Sequence, residues 1–214
     1  MPGEIYITAS SIISEGQVIK NGVTLFENKE TDAPGFLMAA YQQLGIKYSK
    51  FYKMDNLSKL GWLAAEVLLK DSLEEVKYQS SEVGIVLQNA SSSLDADLKY
   101  FESTKEFASP ALFVYTLPNI VMGEICIKHK FRGENAFFIF EAFDADFMQK
   151  YVSNAINNNI LQACICGWVE FIGEEYKAVL FLVEKNGGRD DFKDIARVAF
   201  TQENLNKIYQ LENG

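Results

Sequence analysis

Only a few groupings in this sequence combine side chains that could do covalent or metal chemistry. They are the thiols Cys126, Cys164 and Cys166, the single imidazole His129, and two acidic pairs, Glu141 with Asp144 and Asp95 with Asp97. A nucleophilic thiol needs a depressed pKa, supplied by a helix N-terminus or a neighbouring cation. Cys164 and Cys166 instead lie inside the apolar run "LQACICGWVEF", which reads as a strand. The spacing Cys164-Ile165-Cys166 does not suit a zinc knuckle, and one histidine leaves too few partners for a tetrahedral metal site. Three cysteines in apolar surroundings are an odd set of reduced core thiols, not a disulfide framework. Glu141 and Asp144 could serve as an acid/base pair, but nothing else in the chain completes such a site. Asp144 is better placed as a helix N-cap. Glu141, set in an apolar strand, is expected to be buried and to need a partner or a raised pKa. Asp95 and Asp97 lack the glycine and terminal glutamate of a calcium loop, so "NASSSLDAD" reads as a solvated segment. Lys128, Lys130 and Arg132, in "KHKFRG", form the nearest thing to a basic patch and read as a solvated turn. No catalytic residue, cofactor or metal is expected.

The elements that must position these residues alternate between strands and helices. Glu4–Ser10 reads as a first strand. Lys20-Asn21-Gly22 reads as a turn, and "FLMAAYQQLG" as a short helix. Asp55 can cap a helix through Leu69, with Leu57, Leu60, Ala64 and Leu68 at helical spacing and Gly61 and Ala65 as a small-residue edge that something packs against closely. "VGIVLQN", Val83–Asn89, reads as a strand buried on both faces, and "SSSLDADLKYF" as the start of a loop or helix. Pro110 and Pro118 stand near helix starts, and the second of these helices is expected to turn Ile120, Gly123 and Ile127 inward, with Gly133 in its closing turn. "AFFIFEA", Ala136–Ala142, then reads as a strand, and a helix from Asp144 gathers Phe147, Tyr151, Val152 and Ala155 on one face before Asn157-Asn158-Asn159 ends it. "LQACICGWVEF" and "KAVLFLVEK" form a closing antiparallel hairpin around Gly173-Glu174-Glu175. Nearly continuous apolar strands point to a mostly parallel sheet covered on both faces. After Lys185 the tail is polar, with a surface turn at Gly187–Asp191 and a final helix from Asp191 or Thr201.

Bulk properties narrow the class. With 214 residues, 48% of them hydrophobic, the chain fits one domain with a sizeable core, about 4–185, and a tail over 186–214. A net charge of −9 disfavours nucleic acid and anionic membranes as partners. "MPGEIYITASSIIS" lacks the basic start and apolar run of a signal peptide, and no window has the roughly 20 apolar residues of a membrane span, so a cytoplasmic protein is expected.

The segments "KMDNLSKLGWLAAEVLLKD", "EVGIVLQNASSSLDADLKYFE", "SPALFVYTLPNIVMGEICIKHKFRGEN" and "LQACICGWVEF" follow one another in an order and spacing that resembles the N-terminal half of β-ketoacyl-acyl-carrier-protein synthases. The resemblance runs from about Ile5 to Glu184, and Glu134 stands in place of the second residue of the family's Gly-Pro-Asn turn. It implies an α/β fold that is a single thiolase-like half, a five-stranded mixed sheet with helices on both faces. In complete enzymes two such halves stack. The family's catalytic cysteine begins the helix after the fourth strand, while two histidines and a lysine come from the other half. Counting back without gaps from Gly167 and Trp168 puts the nucleophile position on Ala142; matching "EAF" to the family's Thr-Ala-Cys puts it on Phe143. Neither can attack a thioester, and the acylated thiol and enolate-stabilising donors that condensation needs are absent.

The resemblance therefore implies a catalytically silent subunit that pairs with an active ketosynthase and shapes its acyl pocket, as chain-length factors do in fatty-acid, polyketide or aryl-polyene systems. Phe113, Phe140, Glu141, Asp144 and Phe147 are the candidate pocket residues, with Phe143 placed to fill or gate it. Phe137, Phe138 and Ile139 are candidates for a strand that pairs with its mate across a two-fold axis. Such a subunit would touch an acyl carrier protein only indirectly, because both are acidic. The alternative is a stand-alone homodimer that binds an acyl or aromatic small molecule. A half-fold also leaves an apolar face that a partner or the tail after Lys185 must cover.

Overall fold

The computed structural model describes residues 4–73, 78–185 and 197–211. Its centre is the hairpin predicted at the end of the sequence: β6 (Ala163–Ile172) and β7 (Glu175–Lys185) pair antiparallel, with Gly173 at positive φ in the turn. On the β6 side follow β4 (Val83–Asn89) and then β5 (Asn135–Ile139), both parallel pairings. On the other side β1 (Ile5–Ser14) runs antiparallel to β7. These five strands are the mixed sheet the sequence implied, and three more extend it to eight. β2 (Gln17–Lys20) and β3 (Val23–Glu27) prolong the sheet beyond β1, and β8 (Val198–Ala199) pairs with β1 at Tyr6 and Ile7. The expectation of five strands is corrected to eight among the described residues. β2 and β3 escape a search for buried runs because they are short and β3 is largely exposed. The turns do announce them: Glu15-Gly16 (φ 45 and 75) and Asn21-Gly22 (φ 50 and 79) are two-residue connections with both residues left-handed, the hairpin geometry that matches strand twist.

The expectation of a mostly parallel sheet is also corrected, since among the described residues only β4 with β5 and β4 with β6 are parallel. Two-sided burial produced the misleading signal. Helices cover both faces, so antiparallel β6 and β7 become as continuously apolar as parallel strands.

One face carries α1 (Ala33–Gln43), α2 (Asn56–Leu69) and α5 (Ile120–His129). Asp55 caps α2, accepting from Ser58 N at 3.0 Å, and Leu60, Trp62, Leu63, Ala64 and Leu68 are wholly buried. Gly61 is the close approach expected of it: a Cβ there would stand 2.4 Å from Val121 Cγ2 and 3.2 Å from Val169 Cγ1. That notch also decides how α5 faces. The structure buries Val121, Met122 and Ile125, packs Ile120 partly against the core and leaves Ile127 62% exposed, so the apolar face expected at Ile120, Gly123 and Ile127 is only partly inward. "IVMGEICIKH" is apolar around most of its circumference, and periodicity alone does not choose a side.

The opposite face carries α6 (Ala145–Asn157) and α7 (Gln202–Tyr209). Met148, Val152 and Ile156 of α6 pack in one cluster with Val86, Cys164, Cys166, Phe181 and Val183. The tail contributes Phe200 and Leu205 to this cluster, so after Lys185 it supplies core as well as surface. Thr201 caps α7, accepting from Asn204 N at 3.2 Å, which selects the later of the two predicted helix starts. Asp191 and the turn at Gly187–Asp191 lie outside the described residues. Two further helices, α3 (Leu94–Ser103) and α4 (Pro110–Phe113), follow β4.

Candidate functional site

The strand-to-helix elbow sits between β5 and α6. β5 is an edge strand that ends at Ile139, short of the predicted Ala142, because only one more backbone bond follows, from Phe140 N to Asn89 O at 2.9 Å. Gln88, fully buried on β4, then holds the elbow from the side. Its Oε1 accepts from Asp144 N at 3.0 Å and its Nε2 donates to Asp144 O at 3.3 Å. Asp144 is the N-cap of α6, with Oδ1 accepting from Phe147 N at 2.9 Å. The neighbouring loop is fixed similarly, by Glu170 Oε2 accepting from Ala90 N and Ser91 N at 2.6 and 3.1 Å. A helix N-terminus is thus held in place by its neighbours, with its backbone donors partly committed to Asp144.

At its tip stand Glu141 and Ala142, both exposed. The expectation that Glu141 is buried is overturned: β5 stops two residues before it, so no sheet neighbour encloses it. Phe143 is half-buried and stacks on Tyr209 of α7 (centroids 4.6 Å apart, 19° between planes) and on Phe181 of β7 (6.1 Å, 25°). Lys177 Nζ lies 4.2 Å over the Tyr209 ring and donates to the Tyr209 carbonyl at 3.3 Å, closing that stack.

The other aromatic candidates gather along β5. Phe138 meets Phe147 edge-on at 4.8 Å and Tyr151 at 5.1 Å, while Phe140 meets Phe147 at 5.0 Å. Phe137 points to the α2 side of the sheet and Phe138 to the α6 side, as strand alternation requires, and Ile139 is 50% exposed at the edge. Phe113 does not join this cluster; it lies on α4, exposed, with its ring 5.3 Å from Tyr100. Sequence reasoning missed how much apolar surface lies nearby in the chain. Leu98, Phe101, Phe107 and Leu117 are all more than half exposed. The available signal was a short amphipathic helix, "LDADLKYFES", whose apolar side the protein's own core leaves open.

The thiols behave as core residues. Cys164 and Cys166 are fully buried and Cys126 is half-buried, all unpaired. Burial pushes the Cys166 thiol well up and the Cys126 thiol up, the direction that removes thiolate at neutral pH. Asp95 is engaged by Lys99 at 2.6 Å and by Gly173 N at 3.2 Å, and Asp97 by Ser93. Among the described residues no group of three or more His, Cys, Asp or Glu is arranged to hold a metal, and no helix is long and apolar enough to cross a membrane.

The fold is shared, at low identity, with solved structures of ketosynthases and of ketosynthase–chain length factor complexes. The ishigamide ketosynthase/chain length factor matches with a TM-score of 0.64 at 15% identity, over 88% of this chain and 64% of that one. A chain of the ketosynthase ApeO in complex with its chain length factor ApeC, from Xenorhabdus doucetiae, matches at 0.58 and 13% identity, over 99% of this chain and 92% of that one. The AntDE:AntF complex, a type II polyketide acyl-carrier protein with its ketosynthase bound to the hexaketide, matches at 0.58 and 17%, over 86% and 64%. This chain thus spans under two thirds of the ishigamide and AntDE:AntF chains and nearly all of the ApeO–ApeC one. No protein-family model and no curated protein matches the sequence.

Proposed function

We propose that the chain is a non-catalytic ketosynthase-like subunit that pairs with an active ketosynthase along β5 and shapes its acyl pocket. The observation that carries this reading is the elbow, a ketosynthase-type strand-to-helix turn held by Gln88 and Asp144 with Ala142 and Phe143 at the positions where the resemblance puts the nucleophile. The near end-to-end match to a chain of a ketosynthase–chain length factor complex supports a subunit of this size with such a partner. β5 offers the means: an edge with Ile139 exposed and an aromatic row of Phe138, Phe140 and Phe147 beside it. An unpaired edge of that kind invites another strand. With the chain itself at −9, docking of an acidic carrier protein falls to the partner.

The test is co-expression with a ketosynthase encoded nearby. A stable complex whose product length shifts on Phe140→Ala or Phe147→Ala supports the reading, and failure to form any complex sinks it. Phe143 is a poorer probe of the pocket because it is stacked beneath Tyr209. That same stack favours the second reading, a self-sufficient homodimer binding an acyl or aromatic molecule, since α7 already closes the α6 face from within the chain. A ligand retained through purification, with no ketosynthase bound, would select it.

A further inference from the structure

A second feature with chemistry lies at the opposite end of the sheet. A cavity of about 720 Å³ opens between the C-terminal ends of α2 and α5, the start of β4, and β3. Its size falls in the range of small-molecule sites, roughly 300–1,000 Å³. None of the candidate acyl-pocket or dimer-strand residues lines it, whereas Lys128, His129 and Lys130 do. Val83 of β4 borders the cavity, whereas Gln88 of the same strand holds the elbow; five residues of strand separate them by about 17 Å.

The walls are divided by chemistry. Leu44, Ile46, Val67, Leu69 and Phe131 supply apolar surface. Among the described residues Lys70, Lys128 and Lys130 border the cavity, the Lys128 ammonium lying 5.4 Å over the Tyr48 ring, against one lining carboxylate, Glu66. That carboxylate is already engaged by His129 Nε2 at 2.6 Å, and the imidazole lies flat against Phe131, with ring centroids 5.3 Å apart at 17°. Among the described lining residues the charge is therefore opposite in sign to the chain's −9. Complementing the α5 dipole accounts for Lys128 and His129 in its last turn. The same argument covers Lys70 and Lys130, the C-caps of α2 and α5, but not the space between them.

We infer that this cavity is a binding site for a small amphipathic carboxylate, with its apolar body against Leu44, Ile46 and Val67 and its carboxylate at Lys128 and Lys130. The apolar wall disfavours inorganic phosphate and nucleotides, which would leave it uncovered. The lysines disfavour neutral and cationic lipids. The site is separate from the elbow and does not depend on pairing with a ketosynthase.

The test is calorimetric titration of the full chain with octanoate, 1-octanol and octylammonium. Octanoate is expected to bind saturably at one site, and the other two at least about tenfold more weakly. The double variant Lys128→Gln/Lys130→Gln, changed only at exposed positions, should weaken octanoate by at least about tenfold while circular dichroism shows the chain still folded. Leu44→Trp, which fills the cavity, should abolish the heat. Absence of octanoate binding, equal binding of octanol or octylammonium, or octanoate binding unchanged in the folded lysine variant would each overturn the proposal.

Discussion

The two ends of the β4 strand present opposite combinations of scaffold and chemistry. At its C-terminal end the backbone is held by side chains, Gln88 to both peptide groups of Asp144 and Asp144 to the first turn of α6, yet the residue at the tip is Ala142. At its N-terminal end charged side chains, His129, Glu66 and the lysines, converge on a cavity that no strand-to-helix elbow enters. The comparison teaches that a strand-to-helix elbow and a cluster of charged side chains are held by different interactions. A turn can be fixed by hydrogen bonds whatever residue stands at its tip, and a pocket can be built where the fold offers only helix ends.

Several substitutions can break or sharpen this contrast. Gln88→Leu should have the largest effect, because it leaves the part-buried Asp144 N–H without its acceptor while the Asp144 carbonyl keeps only its bond from Met148 N; a loss of about 2–3 kcal/mol is expected in urea unfolding. A cost near zero would mean that the elbow is held by something else. Phe143→Ala should lower stability by about 1–3 kcal/mol, since it removes the ring between Tyr209 and Phe181, half-buried in place of fully buried. If the variant keeps full stability but changes the ligand or product of a complex, Phe143 lines a pocket and the stacking role is wrong. His129→Ala should cost less, about 1 kcal/mol, as the pair with Glu66 is partly open to solvent. Thiol labelling separates the ends without a stability change: Cys126 should react slowly, Cys164 and Cys166 more slowly still, and all three rapidly in denaturant. A fast-reacting thiol in the folded chain would revive a catalytic reading.

Much of the scaffold was legible because it is written in local rules. Asp55, Asp144 and Thr201 are caps that mark α2, α6 and α7, and the apolar run of β4 coincides with its strand from Val83 to Asn89. What failed was the set of properties that belong to neighbours. Which side of α5 faces inward depends on Gly61, far away in sequence, and that β1 joins β7 antiparallel cannot be read from strands buried on both faces. The exposure of Glu141 follows from where β5 stops, which is set by its pairing with β4. The cavity was illegible for the same reason. Lys128 and Lys130 look like a solvated turn until Lys70, Glu66 and Leu44 are brought beside them by the packing of α2 against α5.

The bond from Gln88 to Asp144 has a consequence for how sequences of this fold can drift. A neighbouring strand, through both atoms of one amide, fixes the peptide two positions after the tip, while the side chain at Ala142 is exposed and makes no contribution to that hold. Selection on folding therefore acts on position 88 and is nearly blind to position 142. Such a tip can change its residue generation after generation without penalty to the fold, and what it carries at any time records only what the protein's work demands of it.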